Sequence, residues 1–161
     1  MDFFAVLGAL IVGLSLLLFV AGRVGLLKGK APRLGVHDGR LTPPRRTPNS
    51  VSSQAALYPD APQKDYAAID PLPVRGDGAS SLERLRSIIA GMPHAQIVAT
   101  RPDYLYAQFT TPTLRFVDDT EFWFSPAENT IHVRSASRLG RRDFQVNRKR
   151  VEMIRAAYLR S

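Results

Sequence analysis

The chain has 161 residues, enough for one domain and a tether, and carries no cysteine and a formal net charge of +8. The missing cysteines exclude disulfides, thiolate catalysis and Cys-ligated zinc or iron–sulfur sites. Seven basic residues stand against one acidic over 23–58, six against ten over 59–131, and nine against two over 132–161; two basic blocks beside an apolar segment point to anionic lipid headgroups, and no nucleic-acid module is recognisable.

Residues 3–22 carry no charge and are rich in Leu, Val, Phe and Ala. At about 1.5 Å per residue they span roughly 30 Å, the thickness of a bilayer core. This predicts a transmembrane anchor, with its flank, over residues 1–27. A cleaved signal peptide is the alternative. Against it, Met1-Asp2 has no Lys or Arg, and the apolar run exceeds the usual h-region of about 7–15 residues. Gly8, Gly13 and Ala21 would let another helix approach. Arg23, Lys28, Lys30 and Arg33 follow the span. By the positive-inside rule they place the rest of a single-pass protein on the cytoplasmic side of a cell membrane.

Residues 28–78 form a basic, Pro-rich connector. Pro32, Pro43, Pro44, Pro48, Pro59, Pro62, Pro71 and Pro73 interrupt any helical or strand period. Leu34, Val36, Leu41, Val51 and Leu57 are dispersed through it, which predicts an extended arm partly laid on the domain that follows, residues 79–161.

There, Ser80 and Glu83 read as a capping box. Leu82, Leu85, Ile88, Ile89 and Met92 follow helical spacing up to Gly91-Met92-Pro93. Strands are predicted over 95–100, 104–111, 114–124 and 130–138, with a turn at 101–103 and a hairpin loop at 126–129. A last helix is predicted over 144–159, with Asp143 as N-cap and an inward stripe of Phe144, Asn147, Val151, Ile154 and Tyr158. The expected fold is α+β: a two-layer domain with a four-stranded antiparallel sheet and two helices on one face.

Several blocks carry a resemblance. They are Arg33-Leu34-Gly35, Asp38-Gly39-Arg40-Leu41, Pro48-Asn49-Ser50-Val51-Ser52-Ser53-Gln54, Phe116-Val117-Asp118-Asp119-Thr120-Glu121-Phe122, Arg134-Ser135-Ala136-Ser137-Arg138 and Asn147-Arg148-Lys149-Arg150. In this order, over residues 33–155, the chain resembles domain-of-unknown-function family 1499. The resemblance implies a bacterial or plastid protein, often behind an N-terminal hydrophobic segment, and no particular reaction. Relatives often show Cys-Pro-x-x-Pro-Asn-Cys where this chain has Pro44 to Ser50. A cysteine pair there would imply an exported, oxidised domain, so the resemblance favours a periplasmic side while the charge rule favours the cytoplasm.

Asp118, Asp119 and Glu121 form the sharpest acidic cluster. A four-residue loop at 126–129 places Glu121 opposite Arg134 and Asp119 diagonal to Arg134 and Arg138, all on one sheet face. Cross-strand ion pairs of this kind are ordinary sheet stabilisers worth about 0.2–1 kcal/mol each. The same residues could instead contact a ligand or serve acid–base hydrolysis. His132 is the one histidine near them; His37 and His94 are distant, and no metal-ligand spacing is present. Ser52 and Ser53 lack a nucleophile elbow. Tyr104, Tyr106, Phe122, Trp123 and Phe124 would suit base stacking, but no RNP-like pattern accompanies them. Asn147 points inward and needs partners. Arg148, Lys149, Arg150 and Arg155, with Arg141 and Arg142, form a solvated face or an anion patch.

The expected binding residues are therefore Asp118, Asp119, Glu121, Arg134, Arg138, Asn147, Arg148 and Arg150. No cofactor or metal is expected. The partners expected are lipid headgroups or a membrane protein. A non-enzymatic binding or assembly domain is the preferred reading, and a carboxylate-dependent hydrolase near the membrane the alternative.

Overall fold

The computed structural model describes residues 2–161. Phe3–Arg23 form helix α1, whose mean hydropathy of 2.8, with none of its apolar window buried against the chain, makes it long and apolar enough to cross a membrane. The chain continues through strands β1 (Val36–His37), β2 (Arg40–Leu41) and β3 (Ser50–Ser52), a 3-10 turn (Ala55–Leu57), helix α2 (Lys64–Ala67) and strand β4 (Leu72–Pro73). Helix α3 (Gly78–Ala90), strands β5 (Ala95–Arg101), β6 (Tyr104–Thr110), β7 (Val117–Ser125) and β8 (Thr130–Ser137), and helix α4 (Val146–Arg160) complete it.

The α+β class holds, but the main sheet has six strands rather than four. Its order is β3-β8-β7-β6-β5, antiparallel throughout, with β4 also pairing β8. The two extra strands come from the connector. They are three and two residues long and Pro-flanked, too short for a period of two to show. A separate hairpin joins β1 to β2 through Asp38 and Gly39, both at positive φ, the backbone that an Asp-Gly turn supplies.

Alternation divides the sheet into two unlike faces. Leu105, Ala107, Phe122, Ile131 and Val133 face α3 and α4 and pack on Leu85, Ile89, Val151, Ile154 and Tyr158. Tyr104 and Trp123 face the other way, where Leu41 of the connector covers them. The helices, the sheet and the connector thus make three layers, where two were expected.

Three local expectations change. The N-cap of α3 is Asp77, which accepts the Ser80 N–H at 2.8 Å, while Glu83 pairs with Arg86 at 2.5 Å instead of closing a capping box. Helix α3 therefore begins at Gly78, earlier than a Ser80 cap would set, and only glycine fits there, since a Cβ would lie 2.1 Å from the Phe124 ring. Residues 114–116 lie outside β7, and Phe144 lies outside α4. Phe144 and Gln145 both take left-handed φ, 49° and 66°, which turns Phe144 outward to 81% exposure.

The end of α1 touches the domain. A Cβ on Gly22 would lie 2.6 Å from the Leu114 carbonyl oxygen, and one on Gly29 would lie 2.9 Å from Arg138 and Leu139 atoms. The 111–116 loop and the exit from β8 are therefore the tether-proximal end of the domain. The 126–129 hairpin is the distal end.

Candidate functional site

The β7–β8 hairpin pairs Glu121 with Arg134 and Asp119 with Ala136, the register that the four-residue loop predicts. The same alternation separates the expected site residues into two groups. Asp119, Glu121, Arg134 and Arg138 lie on the connector face; Asp118 faces the helices with Asn147 and Arg150.

On the connector face the carboxylates are fully covered. Glu121 Oε1 accepts from the Tyr104 hydroxyl at 2.7 Å and from the Gly35 backbone N–H at 2.8 Å, and its Oε2 lies 3.4 Å from Arg134 Nη1. Asp119 receives a bidentate Arg138, at 2.8 and 2.9 Å, and the Tyr106 hydroxyl at 2.6 Å. Arg134 is 1% exposed, donates a long 3.5 Å bond to the Pro43 carbonyl, and has no partner for Nε. Burial pushes its guanidinium pKa down, with Glu121 opposing that. The Tyr104 hydroxyl is pushed up by burial and then by the Glu121 charge beside it. The bond to Asp119, in contrast, raises Arg138. These are ion pairs buried beneath the connector, not only the ordinary cross-strand stabilisers expected.

On the helix face, Asn147 is fully buried at a hub. Its Oδ1 accepts from Ser135 at 2.6 Å and from Arg150 at 2.9 Å. Its Nδ2 donates to Asp143 Oδ2 at 2.9 Å, Ser137 Oγ at 3.0 Å and the Asn49 carbonyl at 3.3 Å. Arg150 reaches past it to Asp118 at 2.6 Å. Asp143 also accepts from Tyr66, at 2.7 Å, and from the Gln145 N–H. Burial alone would raise the Asp143 pKa, but the hydrogen bonds from Tyr66, Asn147 and Gln145 outweigh it and hold it below the usual range. Sequence reasoning placed Asn147 inward but missed Asn49, Tyr66 and the Asp118–Arg150 pair. Only the Asp118/Asp119 alternation signalled that neighbouring carboxylates serve opposite faces.

The basic residues sort themselves as sharply. Arg148 is held by the Tyr66 carbonyl, Arg155 by Pro71, Asp70 and Glu152, and Arg75 by the carbonyls that end α4. Arg46, Arg141 and Arg142 make no salt bridge or side-chain hydrogen bond among the described residues. His132 stacks on Trp123 at 5.4 Å and shares a 3.2 Å contact with Ser53; among the described residues no His, Asp and Glu group could hold a metal. Open grooves lie elsewhere than on the carboxylates. One of about 630 Å³ runs over the connector past Arg33, Arg40 and Tyr58; another of about 600 Å³ lies at the proximal end, lined by Arg46, Arg141, Arg142 and Phe144.

The sequence profile of the family described as "Protein of unknown function (DUF1499)" matches residues 40–158. The chain belongs to the DUF1499 family. The match spans the sheet, α3 and most of α4, so both buried networks lie within the DUF1499 region; Gly35, which caps Glu121, lies just before it. No curated protein and no solved structure matches the chain.

Proposed function

We propose that this DUF1499 chain is a non-enzymatic binding domain, held by α1 on the cytoplasmic face of a membrane, whose tether-proximal end engages acidic lipid headgroups. One observation carries the reading: the end of the domain that meets α1, at Leu114 and Leu139, is also the end where Arg46, Arg141 and Arg142 stand without carboxylate partners. Each arginine near an anionic surface contributes about 1 kcal/mol of attraction. The hydrolase alternative lacks a comparable feature, since Asp118, Asp119 and Glu121 are each buried against an arginine.

The test is hydrogen exchange on the full chain in nanodiscs with and without acidic lipid. Residues 44–49, 111–116 and 139–146 should gain protection when acidic lipid is present. Equal exchange in both discs would overturn the headgroup reading. The side is tested separately: a reporter active only in the cytoplasm, fused after Ser161, should be active, and activity of an export-only reporter would reverse it.

A further inference from the structure

The turn between β8 and α4 is shaped to expose an aromatic side chain, not to bury one. Two consecutive non-glycine residues, Phe144 and Gln145, sit in the left-handed region. The result is an 81% exposed Phe144, with Leu139 and Val146 in the same 139–146 segment exposed at 40% and 45%. The turn is pinned from beneath. Asn49 Nδ2 donates to the Gly140 carbonyl at 2.7 Å, the Asp143 N–H donates to the Pro48 carbonyl at 3.3 Å, and the Asp143 carboxylate accepts the Gln145 and Asn147 N–H groups. A rigid turn therefore presents one ring to solvent.

The surroundings of that ring are cationic. The groove of about 600 Å³ beside it is lined by Arg46, Arg141 and Arg142 and floored by Pro48 and Gln63. A second groove of about 490 Å³ shares Arg142 and Phe144 with it and extends past Tyr66 and Gln145. Asp143, in the same turn, is buried and committed to Tyr66 and the backbone of α4, and makes no salt bridge to these arginines. An exposed ring rimmed by free arginines matches the bilayer boundary, where apolar side chains enter the acyl edge and guanidinium groups meet phosphates. The Gly29–Leu139 contact ties the start of this turn to the segment that follows α1.

We propose that Phe144 is a membrane wedge, and that Arg46, Arg141 and Arg142 form the binding site for the phosphate of an anionic phospholipid beside it. This rests on the headgroup reading above and sharpens it from a basic surface to a defined insertion point.

The experiment uses the full chain in nanodiscs made with acidic lipid, either plain or carrying bromine on the acyl chains. Wild-type emission comes from Trp123, which lies toward the distal end of β7; it should be unaffected by bromine. The Phe144→Trp variant should show added emission that bromine removes. Combining it with Arg141→Gln and Arg142→Gln should shift the ratio of inserted to free turn about thirtyfold toward free, from two headgroup contacts of ordinary strength. Excess inorganic phosphate, compared with chloride of equal ionic strength, should leave the quenching unchanged; its abolition by phosphate alone would reassign the site to soluble phosphate. Unquenched emission at position 144, in discs where 139–146 is protected from exchange, would overturn the wedge and leave the headgroup reading standing. The absence of both signals would remove both.

Discussion

The Glu121–Arg134 pair allows a sharp thermodynamic prediction. Both side chains are buried, at 0% and 1% exposure, but they are unequally satisfied. Glu121 keeps two other good donors, the Tyr104 hydroxyl and the Gly35 N–H, whereas Arg134 has only bonds of 3.4 and 3.5 Å and an unpartnered Nε. Removing the carboxylate strands a buried cation, so Glu121→Gln should cost about 3–5 kcal/mol. Arg134→Met should cost less, about 1–3 kcal/mol, because the carboxylate retains its donors. The double variant leaves no charge at either position and should fall about 2 kcal/mol or more short of the summed single costs. A charge swap, Glu121→Arg with Arg134→Glu, should not rescue stability, because it would aim a guanidinium at the Gly35 and Tyr104 donors. Urea unfolding of the full chain in mild detergent, followed by Trp123 fluorescence, measures all of these. Additive single costs, or an Arg134→Met more damaging than Glu121→Gln, would refute the argument.

Other expectations follow from the same contacts. Asn147→Leu should destabilise by about 3 kcal/mol by stranding Ser135, Arg150 and Asp143, read as a lower urea midpoint. The Asp143 pKa is depressed in the fold, so its contribution is present above the unfolded value near pH 4 and is lost as pH falls through the lower folded value. Asp143→Asn, less stable at neutral pH, should therefore show a shallower fall of its midpoint between about pH 4 and 2. Gly78→Ala should cost about 1–3 kcal/mol by forcing the Phe124 ring aside, measured in the same unfolding assay. Ser50 Oγ accepts the Arg45 N–H at 2.9 Å and clips the 44–50 turn. Pro44→Cys with Ser50→Cys should lose both free thiols under mild oxidation and gain about 2 kcal/mol; persistence of both thiols would show the two positions are not juxtaposed.

The register of β7 and β8 was legible because it is local: a four-residue loop and a period of two suffice to set Glu121 against Arg134. The environment of that pair was not legible. Whether a cross-strand ion pair is solvated or buried depends on what covers it, and the cover comes from Gly35, 86 positions away. The strands from the connector were invisible for a related reason, since two or three residues cannot display a periodicity and their pairing partner lies far along the chain. Asn147 betrayed itself by falling on an apolar stripe, while Asn49, 98 positions distant, carried no such mark. Phe144 misled in the opposite direction. As an apolar residue on the helical spacing it looked inward, and only the two left-handed residues that delay α4 turn it out.

The segment between α1 and the domain has little slack. Gly22 lies on Leu114, Gly29 lies on Arg138 and Leu139, and Gly35 hands its N–H to Glu121, so the path leading from α1 is fastened at short intervals, ahead of β7, at the end of β8 and on the connector face of the sheet. A flexible leash would isolate a domain from its anchor. This one acts as a lever: tilt or vertical displacement of α1 would be felt first at the 111–116 loop and then at the lid over the buried charges, and strain arising within the sheet would travel back the same way. Lengthening the segment by a few residues, harmless in a leash, would here unseat the cover of Glu121.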